Sequence, residues 1–312
     1  MMLAFGIIAM IAMTVSAQTI TPQVAVAKRQ EMEENRHVWH TRTFRIDSDQ
    51  ALESAQLETL ARVADTTATA VRTYPLPLFH PPRSDRPRIA LHHDQNSYQA
   101  AGANPETAGT YDGRNEVVLI HTPYLFRKSS IQRRGAPIDE DLIVHELVHL
   151  CMHRLQTRLP QWLSEGIAEY FAVAHRGSGT FEFEGFDRKI GPTIRGRLGI
   201  EEDAISLCSI ADIAPLSGRD WIRLQNNLPA SRKYETYAVA LLLTHYYLNG
   251  TPARREQVKN ALENRRSAAS AFPELQAESE GLQGKLVTYW RTRGLELHFR
   301  DPDPLPRKPE DR

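Results

Sequence analysis

The sequence predicts an α+β fold: a small N-terminal mixed or antiparallel sheet with one helix, followed by a mainly helical half. Short apolar or alternating runs bounded by turn residues are confined to the first 136 positions, and from Asp139 onward apolar residues recur at helical spacing. Between two of the early elements, Pro75, Pro77, Pro81 and Pro82 form a connector that cannot be helix.

Positions 1–15 are nearly all apolar, about the length of a signal-peptide core and short of the ~20 residues of a membrane span. Val15-Ser16-Ala17 supplies small residues for cleavage before Gln18. The basic start of a leader is missing, so an uncleaved anchor or a misassigned start codon stands as the alternative. There is no Cys at the cleavage point, which argues against a lipoprotein. Residues 1–17 are therefore expected to be a signal peptide, and the mature chain to be exported, periplasmic or secreted, with no stable membrane span.

In the part 18–136, a strand is expected over His37–Ile46, a helix over Leu57–Tyr74, and strands over Arg88–His92 and Glu116–His121. In the part 137–300 a helix starts at the acidic run Asp139, Glu140, Asp141, and a second begins after Pro160 and ends near Gly177 and Gly179. Tyr234–Leu248, closed by Asn249-Gly250, is a further helix, with two more before Trp290. The tail 301–312 is Pro-rich and charged, hence expected to be disordered.

The chemistry concentrates in Val144-His145-Glu146-Leu147-Val148-His149. On a helix His145 and His149 project from one face, so two imidazoles can bind one zinc while Glu146 reaches its water. The pattern alone is weakly specific, but Leu142, Ile143, Leu147, Val148 and Leu150 make the helix largely buried, and burying His, Glu and His together is costly without a partner. Catalytic zinc wants a third protein ligand and an open position, and Glu165 lies on the next helix. Glu169, one turn on, can take the free ring N–H of a ligand His; as a bland alternative it is a surface acid. His153 continues the four-residue spacing a turn too far along, which makes it a partly exposed helix histidine.

These motifs resemble the gluzincins, and within them the peptidase-MA-like family of metallopeptidases. Trp162-Leu163-Ser164-Glu165-Gly166 is similar to the aminopeptidase pattern Trp-Leu-Asn-Glu-Gly, with Glu165 at the ligand position. The Gly-Ala-Met-Glu-Asn exopeptidase signature is absent, so aminopeptidase activity is not implied. A metzincin would need Gly and His where this chain has Met152 and Leu155. The resemblance covers about residues 38–250, including Tyr98, Ala108–Gly113 and the Tyr-led helix, and implies a zincin-type catalytic half acting on a peptide or protein substrate. It implies Glu146 as general base and a Tyr as oxyanion donor, Tyr237 first and Tyr234 as rival; either could instead be a packing Tyr. It further implies a sheet edge against which substrate lies extended, and Asn115–His121 is the strand expected to supply it. A central strand buried on both faces is the alternative there.

Lys plus Arg and Asp plus Glu both number 38, so no global field points to nucleic acid. Arg83, Arg86 and Arg88, and Arg127, Lys128, Arg133 and Arg134, read as solvated loop charge. Cys151 and Cys208 form one disulfide or remain separate thiols, and without a CxxC pair they are not zinc ligands. The competing functional classes are a catalytically silent, zinc-stabilised binding module, for which Glu146 would be superfluous, and an amidase acting on cell-wall peptides.

Overall fold

The structure, a computed structural model, describes residues 19–22, 28–33, 35–125, 139–263, 269–277 and 279–302. The expected signal peptide, the cluster Arg127 to Arg134 and residues 303–312 of the tail lie outside these. No helix among the described residues is long and apolar enough to cross a membrane.

The chain is mixed α and β, as the patterning implied. Its elements begin with β1 (Thr19–Ile20), β2 (Lys28–Glu33), β3 (Arg36–His40), β4 (Arg45–Ser48) and α1 (Ser54–Thr73), followed by β5 (Arg88–His92), α2 (Gln95–Ala100), β6 (Gly109–Asp112), β7 (Val117–His121) and α3 (Thr122–Leu125). The second half runs α4 (Glu140–Cys151), α5 (His153–Gln156), α6 (Gln161–Ala174), β8 (His175–Gly177), β9 (Thr180–Glu182), α7 (Asp187–Leu198), β10 (Ala204–Leu207), α8 (Ile210–Ile213), α9 (Gly218–Asn227) and α10 (Lys233–Asn249). It ends with α11 (Pro252–Glu263), α12 (Pro273–Ala277), α13 (Ser279–Arg291) and β11 (Glu296–Phe299).

The strand expected over His37–Ile46 is a hairpin. Its turn at Thr41–Thr43 carries no Gly, Pro or Asn; it is tied instead by the Asp65 carboxylate of α1, which accepts from Thr41 Oγ1 at 2.8 Å, Arg42 N at 3.0 Å and Thr43 N at 2.9 Å. A turn made by a residue more than twenty positions away leaves no local signal. Arg86 and Arg88 are likewise not merely solvated: Arg86 donates to the Thr41 carbonyl and Arg88 Nε to Asp47 at 2.6 Å. Cys151 and Cys208 are separate buried thiols.

The main sheet has the order β2-β3-β4-β5-β7-β6. Its β4, β5 and β7 run parallel, whereas β6 closes the end antiparallel to β7. One face, with Ile89, Leu91, Val118 and Ile120, belongs to the principal core shared with α1 and α4. The other, with Ala90, Val117 and Leu119, packs on Tyr98 of α2.

This arrangement corrects the expected substrate edge. The strand at Asn115–His121 is β7, paired on both sides and buried at all five positions, so it cannot accept another strand. At that end of the sheet the outer strand is β6, within the Ala108–Gly113 segment, and β2 is the outer strand at the other end. Val118→Pro should therefore cost at least about 1–3 kcal/mol, because a ladder donor is lost inside the sheet and its acceptor is left unpaired. Thermal unfolding checks this: a transition within a degree or two of wild type would contradict the interior placement.

Below the sheet, α4, α6 and α10 form a helical layer, with α6 and α10 in intimate contact. Gly166 makes that contact possible, since a Cβ there would overlap Thr244 Oγ1 and the Ala240 carbonyl. The crossing fixes the distance between the middle of α6 and the first turns of α10.

A candidate metal centre

Helix α4 begins where Asp139 caps it, its side chain accepting from Leu142 N, with Glu140 and Asp141 in the first turn. Acid at a helix start offsets the positive end of the macrodipole. Ile143, Val144, Leu147, Val148 and Leu150 are fully buried, which fixes the rotation of the helix and turns His145 and His149 toward α6.

Helix α6, opened by Pro160, brings Glu165 to the same point. The Nε2 atoms of His145 and His149 are 3.2 Å apart, and Glu165 Oε2 lies 3.4 Å from each. Together they are a buried group able to hold a metal ion, the one such group among the described residues. The side chains keep 13% exposure at His145, 7% at His149 and 11% at Glu165, so one side of the triangle stays open. Burial disfavours a charge on His145, yet Glu165 and Glu169 outweigh it and push the ring up to about 10. Burial also works against the Glu165 carboxylate, and His149 and His145 overcome it, holding the group well below the usual range. A site that draws a proton so strongly offers the same field to a cation.

Each donor is oriented by a second contact. Gln161 Nε2 donates to Glu165 Oε1 at 2.7 Å, leaving Oε2 for the triangle. Glu169 Oε1 lies 3.1 Å from His145 Nδ1, set off the line of the ring N–H, while its Oε2 accepts from Arg197 at 2.6 Å and from the Tyr234 hydroxyl at 2.8 Å. Glu169 is thus not a surface acid: it is 4% exposed. His149 Nδ1 meets the Gln156 amide at 3.0 Å, and Gln156 is held in turn by Ser164. The sequence reading missed Arg197, Gln156 and Gln161; they sit at polar helix positions without a motif, and only the fold brings the first two to the site.

Glu146 sits against the free edge of the sheet, where a Cβ on Gly109 would stand 3.1 Å from its Cγ. Burial raises its pKa, while His145, His149 and, least, the Tyr111 backbone N–H beside it pull the other way. The ladder explains that contact. His121 N donates to Ala108 O at 3.0 Å, and with the antiparallel alternation Gly109 and Tyr111 turn their backbone groups away from β7.

Opposite, Tyr237 of α10 places its ring 6.1 Å from that of His145 and 5.5 Å from that of Trp221. Burial, then the charge of Glu165, push its pKa up, so it keeps its proton as a donor. Tyr234 spends its hydroxyl on Glu169. The two Tyr expectations are thus separated by position: one faces the triangle, the other braces Glu169.

His153, half-buried as expected, carries an unforeseen chain: the Tyr111 hydroxyl bonds its Nδ1 and Glu116 Oε1 lies 3.1 Å from its Nε2. Tyr111 in turn stacks on His149 with ring centroids 6.0 Å apart.

The chain matches no protein-family model and no curated protein. Its functional reading therefore rests on the geometry of these side chains.

Proposed function

We propose that the chain is an exported zinc-dependent peptidase of the gluzincin kind, with His145, His149 and Glu165 as ligands. The observation that carries this is the donor triangle. A tetrahedral zinc with bonds of ~2.0–2.1 Å holds its ligand atoms about 3.3 Å apart, and the three separations here are 3.2, 3.4 and 3.4 Å. Two imidazoles and one carboxylate with an open fourth side is the donor set of a catalytic site rather than a closed structural one.

Zinc, when bound, supplies a Lewis acid that lowers the pKa of water toward ~7. The remaining work falls to the chain's own groups. Glu146 takes the proton of the attacking water and returns it to the leaving amine. Tyr237 donates its hydroxyl to the carbonyl oxygen that gains charge. Glu169, clamped by Arg197 and Tyr234, stands 3.1 Å from the second ring nitrogen of His145 and favours a proton there, which leaves Nε2 as the ligating atom. The peptide adds as a strand to the free edge of β6, where the Gly109 backbone groups and the Tyr111 carbonyl face outward.

Freshly purified protein should contain one zinc per chain by elemental analysis, and His149→Ala should lose most of it. Absence of zinc from the wild type, or full retention in His149→Ala, would overturn the assignment.

A further inference from the structure

Resting on that reading, we propose that the loop before β6 and the start of α10 close one end of the substrate groove, so that the enzyme trims short fragments from the C-terminus of its substrate. The two walls are β6, whose Gly109 lies against Glu146, and the helices of Trp221 and Tyr237, whose Tyr237 lies against His145, so that Glu146 and the donor triangle stand between them. Two side-chain contacts join these walls: Lys233 Nζ meets Glu106 Oε2 at 2.7 Å, and Asn104 Nδ2 donates to Asn226 Oδ1 at 3.2 Å.

Their position sets a length. Lys233 precedes Tyr237 by one turn on the same helix face, ~6 Å along the axis. Glu106 precedes Gly109 by three residues, at most ~10 Å of chain. An extended peptide rises ~3.3 Å per residue, so about two residues fit between the reacting bond and the bridge.

The wall on the β6 side is stiff. Thr107 Oγ1 and Thr110 Oγ1 lie 3.0 and 3.3 Å from the hydroxyl of the fully buried Tyr98, and Glu106 N donates to Asn104 Oδ1 at 3.0 Å. At the other end of β6, among the described residues, no hydrogen bond or ion pair joins residues 112–116 to α9 or α10, since Asp112 bonds Arg114 and Asn115, and Glu116 meets His153. The groove is therefore bridged at the β6 N-terminus and unbridged at its C-terminus. A strand added antiparallel, the more stable pairing, lays its C-terminal side toward the bridge.

The test compares one zinc-loaded protein on four substrates: a linear peptide, its backbone-cyclised isomer, and the same peptide fused to a folded domain at either terminus. Mass spectrometry should find short C-terminal fragments from the linear peptide and the N-terminal fusion, with the circle and the C-terminal fusion spared. In Glu106→Gln/Asn226→Ala, the rate on the C-terminal fusion relative to the linear peptide should rise about two- to fivefold, what a solvent-exposed ion pair can hold back. Cleavage of the circle and the C-terminal fusion at the linear rate would overturn the closed end while leaving the peptidase reading intact. No cleavage of any substrate by zinc-loaded protein would overturn the peptidase reading, and this inference with it.

Discussion

Glu146→Gln is expected to keep its zinc and its thermal transition while losing about 10²–10⁴ in peptide hydrolysis, the range general acid–base catalysis contributes. The substitution is close to isosteric. Glu146 is 8% exposed and is not part of the donor triangle, so no ligand is removed and no cavity is opened. The Tyr111 backbone N–H beside the carboxylate can serve the amide oxygen equally. What the amide cannot do is accept and return a proton. Zinc content, melting temperature and turnover should be measured on the same preparation. Normal turnover would remove Glu146 from the role of base, and a zinc-loaded wild type inert on every peptide would favour a binding module.

The parts of the site legible in the sequence are those whose partners lie at helical spacing. His145, Glu146 and His149 share two turns, and Glu165 and Glu169 share one face of the next helix, so a periodicity argument reaches them. The supports were not legible. Arg197 meets Glu169 across 28 positions and His153 meets Glu116 across 37, joined by packing alone.

The strand order failed for a related reason. Val117-Val118-Leu119-Ile120 is a continuous apolar run, the pattern of a strand covered on both faces, and that pattern argued for an interior position. Against it stand the alternation of Val117, Leu119 and His121 with Glu116, Val118 and Ile120, the Gly113 turn before them and their place just ahead of the active-site helix, which is why the sequence points to an edge. In the fold, Gly109 lies in the outer strand, where a Cβ would stand 3.1 Å from Glu146 Cγ.

Gly166→Ala is expected to destabilise the fold by about 2 kcal/mol and to disturb zinc binding with it. Two effects oppose. Alanine is favoured over glycine within a helix by about 1 kcal/mol. Against this, the new methyl would overlap Thr244 Oγ1 and, more seriously, the Ala240 carbonyl, which belongs to the backbone of α10 and cannot rotate aside. Overpacking of that kind costs about 1–3 kcal/mol, at the upper end where backbone must move, so the loss prevails. The position lies next to Glu165, and the helix that must retreat carries Tyr237, so strain here separates a ligand from the residue facing it. Thr244→Ala in the same background should restore only part of the stability, because the Ala240 carbonyl remains in the way. Equal or higher melting temperature in Gly166→Ala would mean that α6 and α10 do not cross at this glycine, and full rescue by Thr244→Ala would place the clash on the side chain alone.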